Sequence, residues 1–419
     1  MKLCFLADAR SPIAQNWIRY FIQAGHEVHV LSSYLCDPAT LPGASIQTVP
    51  VAFSWIASRS VKHESRKEGE RERLVRPVRK TLMPLLSRLR HWLGPLDVYR
   101  YVGQIRHVVD KLQPDLVHAM RIPFEGILAA ESLMRSSMPL LVSVWGNDFT
   151  FHAHGSPLIG YLTQRAMARA DALHPDCRRD LHLAQVWGFN EKKVSVVLPG
   201  AGGIQTDLFH PGLPDQQLAE RLRIPPNVPV VLNPRGIRGY VRNDTFFQAI
   251  PLVLAKRPQV IFLGLAMQGS PVAEKWVERL HLEGMVRLLP SVSRSEVANL
   301  FRLADIAVSP SEHDGTPNTL LEGMACGAFP IAGNIESVRE WIDDGENGFL
   351  CDPANPESLA TTIVRALDDA ELRRKAKIHN QRLIANRANY QRVMSQAETF
   401  YTEIIRDTRH SHSVFQEAA

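Results

Sequence analysis

Two carboxylates stand eight positions apart in the C-terminal third of the chain, within the stretch "VSPSEHDGTPNTLLEGMACG". Asp314 precedes a Gly-Thr-Pro turn, and Glu322 lies about two helical turns further on. Thr316 suits the N-cap of a helix and Pro317 its first position, where no N–H donor is needed. The first helical turn offers N–H groups and a partial positive charge, which favour an anion such as a phosphate. The spacing therefore predicts a site for a ligand with a central phosphate and hydroxyl groups on both sides, which is the layout of a nucleotide-sugar.

The elements that position these carboxylates are predicted from the local pattern. The segment "DIAVSPS" is short and apolar, which is typical of a buried parallel strand. Gly327 suits the position just past a helix end, so residues 317–326 are predicted to form a helix. Asn318 and Glu322 are four residues apart and share one face of it. The site is thus expected where a strand leads through a loop into a helix.

The whole chain is predicted to form two domains, because 419 residues exceed one ordinary core. Short apolar strands alternate with amphipathic helical stretches, which indicates parallel sheets covered by helices on both faces. Residues 201–228 are rich in Gly and Pro and are typical of a linker. The predicted fold class is α/β, with two doubly wound Rossmann-like domains that face an interdomain cleft. The boundaries are residues 1–205, residues 206–387, and a C-terminal segment 388–419 whose helix crosses back to the N-terminal domain.

The predicted strands are 2–8, 27–33, 115–120, 140–146 and 194–200 in the first half, and 230–235, 260–265, 286–291, 305–311 and 329–333 in the second. The predicted helices include 14–24, 126–136, 243–256 and 294–303. Ligands of such sheets bind beyond the carboxyl ends of the strands.

Cysteine usage and hydropathy bear on the compartment. The five cysteines are scattered without a C-x-x-C pair, which predicts free thiols in a reducing compartment. No apolar run reaches the roughly 20 residues that a spanning helix needs. The N-terminal apolar stretch is too short for a signal peptide and is predicted to be a strand. We therefore expect a cytoplasmic protein.

Positive charge is concentrated in one segment. Residues 59–90 hold eleven Lys/Arg and four Glu, a charge of +7, and the whole chain carries +5, so the remainder carries −2. In "VRPVRKTLMPLLSRLRHWL", apolar residues recur at three- and four-residue steps with basic residues between them, and Pro84 is expected to kink the helix. This is the pattern of a basic amphipathic helix on an anionic bilayer, so residues 59–93 are predicted to hold the protein on the inner face of the membrane. The alternative is that the apolar stripe packs on the first domain. Nucleic acid is not predicted as a partner, since aromatic residues are not interleaved with the basic ones.

Several segments resemble one enzyme family. "PSEHDGTPNTLLEGMACG" resembles the donor-binding signature of the large family-4 retaining glycosyltransferases, which have the two-domain GT-B fold. "GIQTDLFHP", "VVLNPRG" and "REWIDDGENGFLCDPANPESLA" resemble the family's interdomain segment, its phosphate-binding strand end and the segment after the signature. The resemblance is specific over residues 229–370. It is weaker in the N-terminal half, where it depends on "VWGNDF" and the strand pattern.

The resemblance implies roles for individual residues. Glu322 would accept hydrogen bonds from the nucleotide's ribose, and Asp314 would contact the hydroxyls of the transferred sugar. Arg235 would stabilise the departing diphosphate as a catalytic residue. Backbone N–H groups would hold the diphosphate at Asn318, Thr319 and Leu320. The family needs neither metal nor cofactor beyond the donor, because cationic side chains and a helix terminus stabilise the leaving group. Retention through same-face attack, with the leaving phosphate taking the acceptor's proton, would explain why no nucleophile stands out.

The donor region departs from the family pattern at two points. Asp314 is one methylene shorter than the usual glutamate, which could shift the sugar preference. The family's lysine after Arg235 is missing from "PRGIRGYVRNDTFF", so Arg238 or Arg242 would have to contact the phosphates. An arginine grips phosphate with a broader, forked geometry than a lysine.

The N-terminal half also departs from the family pattern. The place of the family's catalytic-loop histidine reads Gly-Asn-Asp, which makes Asp148 the catalytic candidate of this loop, although it could instead cap the next helix. His118 and His152 lie nearby without matching the pattern. These histidines and His154 have no Cys or carboxylate partner at ligand spacing, so no metal site is predicted.

The sequence therefore predicts a retaining glycosyltransferase that uses a nucleotide-diphospho-sugar, with UDP preferred over GDP. Its acceptor is expected to be lipid-linked or a precursor of a cell-envelope glycan. One alternative is a non-catalytic GT-B scaffold, which the departures at Asp314 and at the missing lysine leave open. The other is a GT-B sugar-nucleotide epimerase, which would need a cluster of acid and base groups that the sequence does not show.

Overall fold

The structure is a computed structural model that describes residues 1–54 and 71–417, with the side chains of 71–89 and 409–417 left out. The chain divides into two compact units. The N-terminal unit comprises Met1–Gly202 together with Met394–Ala419, and the C-terminal unit comprises Gly203–Val393. Each unit has its own parallel sheet and its own buried core.

The N-terminal unit is built on a seven-stranded parallel sheet of order β3-β2-β1-β4-β5-β6-β7. Its strands are β1 (Lys2–Ala7), β2 (Glu27–Ser32), β3 (Ser45–Thr48), β4 (Leu116–Ala119), β5 (Leu140–Val144), β6 (Ala172–Pro175) and β7 (Val194–Ser195). The central strands β4 and β5 are buried along their whole length, which suits their continuous apolar sequences.

The C-terminal unit is built on a six-stranded parallel sheet of order β10-β9-β8-β11-β12-β13. Its strands are β8 (Val230–Asn233), β9 (Ile261–Gly264), β10 (Val286–Leu288), β11 (Ile306–Ser309), β12 (Phe329–Gly333) and β13 (Phe349–Cys351). In both sheets the order reverses next to the first strand of the unit, at β1 and β4 and again at β8 and β11. Ligands of open parallel sheets bind at such reversal points, beyond the carboxyl ends of the strands.

The described helices are α1 (Pro12–Gln23), α2 (Arg71–Leu112), α3 (Ile127–Ser132), α4 (Pro157–Arg169), α5 (Arg178–Val186), α6 (Gln216–Arg221), α7 (Asn243–Leu254), α8 (Pro271–Arg279), α9 (Arg294–Leu303), α10 (Asn318–Cys326), α11 (Glu336–Arg339), α12 (Pro356–Asp368), α13 (Ala370–Arg387) and α14 (Tyr390–Glu417). Single helical turns lie at Pro38–Thr40, Ile122–Gly126 and Asp148–His152. Among the residues described, no helix is both long and apolar enough to cross a bilayer.

Two sequence predictions about helices can be compared with the structure. Helix α10 begins at Asn318 with Pro317 at its N-cap, so the expectation that Thr316 caps the helix was wrong by one residue. Pro317 has ψ of 80°, outside the helical range, because its position belongs to the preceding turn. Gly327 ends the helix with φ of +100°, as predicted. Helix α2 continues through Pro84. The predicted apolar stripe from Val75 to Trp92 lies outside the described side chains except for Trp92, which is exposed.

Helix α14 contributes a buried aromatic residue to the N-terminal unit. Tyr401 stacks on Phe21 of α1, with ring centroids 4.5 Å apart. Its hydroxyl accepts a hydrogen bond of 2.8 Å from the indole nitrogen of Trp17, and both side chains are buried. On the surface of the same contact, Glu398 lies 2.7 Å from His26 and accepts from the hydroxyl of Tyr20. The C-terminal segment is therefore part of this unit's core.

A chain of hydrogen bonds continues from Tyr401 through the sheet. The Tyr401 hydroxyl bonds to His118 Nδ1, His118 Nε2 lies 2.7 Å from Ser143 Oγ, and Ser143 Oγ lies 2.8 Å from His174 Nδ1. His174 Nε2 lies 3.0 Å from the carbonyl of Leu198, which can only accept. The indole of Trp17 at the other end can only donate. When both imidazoles are neutral, every hydrogen bond in the chain is therefore donated in the same direction, from Trp17 towards Leu198. Burial lowers the pKa of His118 well below its usual range and that of His174 to about 4, so both are neutral at pH 7.

Candidate functional site

Three predicted site residues meet at the reversal point of the C-terminal sheet. Arg235 lies in the loop after β8 and Asp314 in the loop after β11. The Nη2 of Arg235 is 2.8 Å from Asp314 Oδ2, and its Nη1 donates to Thr319 Oγ1 at 3.1 Å. The two charged side chains are only 9% and 13% exposed. Two loops and the first turn of α10 thus bring together a cation, a carboxylate and a hydroxyl that lie up to 84 residues apart in the sequence.

Polar atoms without partners accompany this cluster. Arg235 Nε, Asn233 Nδ2 and Asn318 Oδ1 are buried and make no hydrogen bond within the described part of the chain. Leaving such a group unsatisfied costs about 1–3 kcal/mol. The cluster therefore offers two donors and one acceptor whose hydrogen-bonding capacity a bound polar ligand could satisfy.

Glu322 stands one turn further along α10 and is 15% exposed. Its Oε1 lies 3.3 Å from Nη2 of Arg294, the first residue of α9. Burial raises the pKa of Glu322 to about 7, and the charge of Arg294 lowers it by less. Arg294 was missed by sequence reasoning, because no motif marks the loop after β10. The only available signal was its place beyond the end of a predicted strand.

The two arginines that could replace the family's lysine differ in their surroundings. Arg242 is bound by two carboxylates, at 2.7 Å to Asp244 and 2.6 Å to Glu312. Arg238 is exposed, and it donates to the carbonyl of Arg235 and to the hydroxyl of Tyr240, both at 3.0 Å. Since the guanidinium of Arg242 is already neutralised, Arg238 is the better placed of the two for a phosphate contact.

Only some of the backbone N–H groups predicted to hold the diphosphate at the start of α10 are available. The N–H of Asn318 donates to Thr316 and the N–H of Leu320 donates to Pro317, at 2.9 and 2.8 Å. The turn before the helix folds back on its own carbonyls, which occupies these two donors. In the described structure the amide of Thr319 is the member of the predicted trio that makes no backbone hydrogen bond outside the helix.

The N-terminal unit has a cavity of about 240 Å³ at its own reversal point, between the ends of β1 and β4. Its walls come from the loops after β1, β2, β4 and β5 and from helix α2. The lining residues are Asp8, Ser11, Tyr34, Arg90, His91, Met120, Arg121, Pro123, Phe124, Glu125, Trp145 and His152. Sequence reasoning placed the loops at Asp8 and at Gly146–Asp148 beyond strand ends, but most other lining residues lie in separate segments without a shared motif.

Asp148 lies beneath this cavity and does not line it. Its side chain is fully buried, with Oδ1 3.1 Å from Nη2 of Arg121. Its Oδ2 accepts from the backbone N–H groups of Ile122 and Trp145, at 3.1 and 3.2 Å. Burial raises the pKa of Asp148, and the charge of Arg121 lowers it. The carboxylate holds Arg121 and fastens two loops together, and it does not cap a helix. Its catalytic role stays a prediction.

Two histidines meet in the cavity wall. His91 Nε2 and His152 Nδ1 are 3.2 Å apart, so one ring donates to the other. Burial lowers the pKa of His152 to about 3, and the positive charge of Arg121 lowers it further. Burial also lowers the pKa of His91. Both rings are therefore neutral at pH 7. His152 had been noted in the sequence but did not match the family pattern, and it lies in the turn Asp148–His152.

The histidines considered as metal ligands have other surroundings. His118 belongs to the buried hydrogen-bond chain, and His154 lies edge-on against Trp187 at 5.4 Å. In the described ranges, one group has ligand atoms within 4.8 Å of one another: Asp176, Cys177 and Asp180. Arg179 lies 2.7 Å from Asp180 and supplies positive charge there.

Comparisons with known proteins cover both units. Residues 215–382 match the family model described as "Glycosyl transferases group 1", and residues 11–200 match the "Glycosyl transferase 4-like domain". The D-inositol 3-phosphate glycosyltransferase 2 of Catenulispora acidiphila is 28% identical over 197 residues, which is 44% of this chain and 45% of that protein. The chain thus matches about half the length of this relative.

Solved structures share the fold at low identity. Sucrose-phosphate synthase from Thermosynechococcus elongatus superposes with a TM-score of 0.73 at 15% identity, over 97% of this chain and 100% of that one. HepE from Anabaena, solved in complex with UDP-glucose, superposes with a TM-score of 0.69 at 16% identity, over 96% and 100%. The predicted fold of two Rossmann-like parallel-sheet domains of the GT-B type is confirmed. Because the two family models together account for residues of both units, the chain belongs to the group 1 glycosyltransferases.

Proposed function

We propose that this protein is a retaining glycosyltransferase that moves a sugar from a UDP-sugar to an acceptor hydroxyl. The observation that carries the proposal is the convergence of Arg235, Asp314 and Thr319 at the reversal point of the C-terminal sheet, with Glu322 one turn behind. A nucleotide-sugar needs a cation for its diphosphate and carboxylates for the hydroxyls on either side of it. These residues supply those groups in that order.

Arg235 is the residue that stabilises the leaving group in this proposal. Its guanidinium is buried with an unsatisfied Nε, and in the structure Asp314 neutralises its charge. A diphosphate would compete for the guanidinium, and Asp314 would then accept hydrogen bonds from the sugar hydroxyls. A fixed cation in a water-poor site stabilises developing charge without reorganisation, which is why the reaction is proposed to need no metal.

The chemical step breaks the bond between the anomeric carbon and the diphosphate oxygen and forms a bond to the acceptor oxygen on the same face. The electron pair stays on the departing diphosphate, which also takes the proton of the acceptor hydroxyl. Glu322 contributes by binding the ribose, and Arg238 by adding a second cation near the phosphates.

The donor nucleotide is proposed to be UDP, with GDP as the second choice. The fold shared with HepE, which was solved with UDP-glucose, supports this order. A non-catalytic scaffold would also keep the fold, but it would gain nothing from a buried arginine with an unsatisfied nitrogen. An epimerase would need acid and base groups facing the sugar. The carboxylates of the C-terminal cluster are instead paired with Arg235 and Arg294.

We further propose a peripheral position on an anionic membrane, with a lipid-linked or envelope-glycan acceptor. The described part of α2 supports it, because Trp92, Leu96 and Tyr99 recur at helical spacing and are about half exposed or more. Trp and Tyr favour the boundary between lipid and water. The preceding residues of the same helix carry the basic sequence that an anionic surface would attract.

A thermal-shift screen against UDP- and GDP-sugars tests the donor. A ligand at 100 times its Kd raises the free energy of unfolding by about 2.7 kcal/mol, so the true donor should stand out. Incubation with that donor and an acceptor, followed by NMR of the product's anomeric proton, tests transfer and retention. Binding without release of UDP would favour the scaffold, and a product in which the sugar stays on UDP with inverted configuration would favour the epimerase.

A further inference from the structure

The cavity of the N-terminal unit has in its wall a guanidinium group, that of Arg90, which forms no ion pair with a described carboxylate. Arg90 has no carboxylate partner in the described part of the chain, and its guanidinium lies against the rings of Tyr34 and Phe124, at 5.4 and 5.1 Å. Arg121 has one partner, Asp148, below the cavity floor. The cavity therefore has two guanidinium groups in its wall, of which one is balanced.

The carboxylates of the wall are already engaged. Asp8 accepts two hydrogen bonds from the guanidinium of Arg10, at 3.0 Å each, so this pair is neutral by itself. Glu125 accepts from the hydroxyl of Ser33, and its negative charge acts on Arg121. Neither carboxylate is bonded to Arg90. The positive potential reaches the histidines, since burial and then Arg121 and Arg90 all act to lower the pKa of His152.

Hydrogen-bonding capacity is left over in the same wall. The Nε of Arg90, the Nε of Arg121 and the indole nitrogen of Trp145 are buried donors without partners among the described residues. Oε2 of Glu125 is a buried acceptor without a partner. A complementary ligand would present several acceptor oxygens and at least one hydroxyl donor. An oxyanion next to a hydroxyl has this composition, and charge-assisted bonds to guanidinium groups are the stronger kind.

We propose that this cavity binds the acceptor of the transfer and that the acceptor carries a phosphate or a carboxylate beside the hydroxyl that becomes glycosylated. The proposal rests on the proposed glycosyl transfer and specifies its substrate class. Arg90 and Arg121 bind the oxyanion, and Glu125 accepts from a hydroxyl. Asp148 is a positioning residue that holds Arg121. His91 and His152 form the neutral part of the wall.

Calorimetry on the full-length protein tests the class with a matched pair of probes, glycerol 1-phosphate and glycerol, and with inorganic phosphate. We expect the phosphate ester to bind at least ten-fold more tightly than glycerol. Arg90→Gln should weaken its binding on the order of ten- to a hundred-fold, as expected for the loss of charge-assisted hydrogen bonds. Arg100→Gln is the matched control, because Arg100 is an exposed arginine on the same helix outside the cavity. It should change binding less than two-fold.

A second measurement keeps the proposal testable if Arg90→Gln folds poorly. The ring carbon signals of His152 in the parent, identified by their absence in His152→Gln, report its pKa by NMR. A phosphate ester bound beside His152 should raise that pKa by about one unit, since an opposite charge favours the protonated ring. A pKa that does not move when glycerol 1-phosphate is added would overturn the proposal.

A third experiment distinguishes a lipid headgroup from a soluble molecule as the source of the oxyanion. Vesicles that contain phosphatidylglycerol present the same phosphate and hydroxyls at a lipid surface. Competition of these vesicles with glycerol 1-phosphate in the parent, reduced in Arg90→Gln, would identify a lipid headgroup. Binding of the soluble ester alone would identify a soluble acceptor. Either result supports the anionic class.

The two proposals fail in different ways. A parent that binds UDP but prefers glycerol over its phosphate ester overturns the anionic acceptor and leaves the glycosyltransferase intact. A parent that neither binds nor hydrolyses any nucleotide-sugar overturns the proposed function itself. Equal affinity of the parent and Arg90→Gln for the ester would also overturn the assignment of this cavity.

Discussion

The two sheets reverse their strand order in the same way, yet their polar groups at the reversal points are arranged differently. In the C-terminal unit the charged residues pair with one another: Arg235 with Asp314, and Glu322 with Arg294. In the N-terminal unit Arg90 has no carboxylate partner among the described residues, and several donors in the cavity wall remain unsatisfied. In the C-terminal site the charged side chains are paired with one another until a ligand competes for them. In the second, one guanidinium has no ion-pair partner and several polar atoms have no hydrogen-bond partner among the described residues, so these groups indicate what a ligand should offer.

The largest effect is expected from the paired cation of the C-terminal unit. Arg235→Ala removes a group proposed to stabilise the charge on the departing diphosphate, a loss of about 2.7–4 kcal/mol in the barrier. Steady-state kinetics should show kcat lower by roughly 100- to 1,000-fold, with the melting temperature little changed. Arg257→Ala is the control, since Arg257 is an exposed arginine of the same unit that pairs with Asp368. Turnover of Arg235→Ala within a few-fold of the parent would contradict the proposal that Arg235 stabilises the leaving group.

The next largest effect is a difference between the two units in how their stability depends on pH. His174 has a pKa of about 4 when folded and about 6.5 when unfolded, so the unfolded state binds more protons between these values. His174 should therefore cost the N-terminal unit up to about 3 kcal/mol as the pH falls from 6.5 to 4, and His118 and His152 destabilise it in the same direction. Glu322 has the opposite sign: its folded pKa of about 7 lies above its usual value, so its contribution to stability is lost as the pH rises through 7.

Hydrogen exchange followed by mass spectrometry resolves the two units and measures both trends. His174→Gln keeps a donor and an acceptor but does not titrate, so it should reduce the acid loss in the N-terminal unit by the share that His174 contributes. Glu322→Gln should flatten the loss at higher pH in the C-terminal unit. Parallel pH profiles for the two units in the parent protein would contradict this contrast.

A smaller effect separates the two carboxylates of the C-terminal site. Glu322→Gln should weaken binding of free UDP by about 1.5–3 kcal/mol, because the ribose hydroxyls lose a charged acceptor. Asp314→Asn should leave UDP binding nearly unchanged and impair sugar transfer. Calorimetry with UDP on both variants measures the difference. A similar loss of UDP affinity in the two variants would refute this division of roles.

The pKa of Glu322 provides a second test of its role in UDP binding. Its pKa of about 7 means that the carboxylate form, which accepts from the ribose, becomes populated as the pH rises through neutrality. UDP affinity of the parent should therefore increase between about pH 6 and 8. In Glu322→Gln it should be flat over this range.

The smallest effect concerns the surface of α2. Leu96→Ala should weaken sedimentation with anionic vesicles by about 1 kcal/mol, roughly five-fold, because a half-exposed leucine loses its contact with lipid. Leu213→Ala is the matched control, a leucine of the C-terminal unit that is 91% exposed. Binding of the parent should fade as salt rises, since exposed charges are screened. A parent that ignores anionic vesicles at low salt would show that α2 meets no membrane.

The sequence was informative where function depends on neighbouring residues. The strand, the Gly-Thr-Pro turn and the helix around Asp314 and Glu322 lie within about 20 residues, so local rules predicted their ends to within two residues. The strands β3, β6 and β13 were not predicted. Strand β7 was predicted as seven residues and has two, because Val196–Leu198 pairs with the sheet only through isolated bonds.

The cavity of the N-terminal unit could not be predicted in this way. Arg90, Arg121, Trp145 and His152 come from four elements, and only the parallel sheet brings their loops to one edge. The burial of Asp148 could not be predicted from the sequence either. Its sequence neighbours suggested a helix cap or a catalytic group, whereas its partner Arg121 lies 27 residues earlier. Arg242 and Arg238 looked alike in sequence, and only the positions of Asp244 and Glu312 distinguish them.

The one-directional hydrogen-bond chain that starts at Trp17 has a spectroscopic consequence. The Nε2–H protons of His118 and His174 are buried and bonded to fixed acceptors, so they exchange slowly with water and give resolved imidazole NH signals at neutral pH. The His118 signal depends on the tautomer that Tyr401 imposes from the C-terminal helix. A change in that signal would therefore report displacement of the helix from the N-terminal unit, without any label attached to the protein.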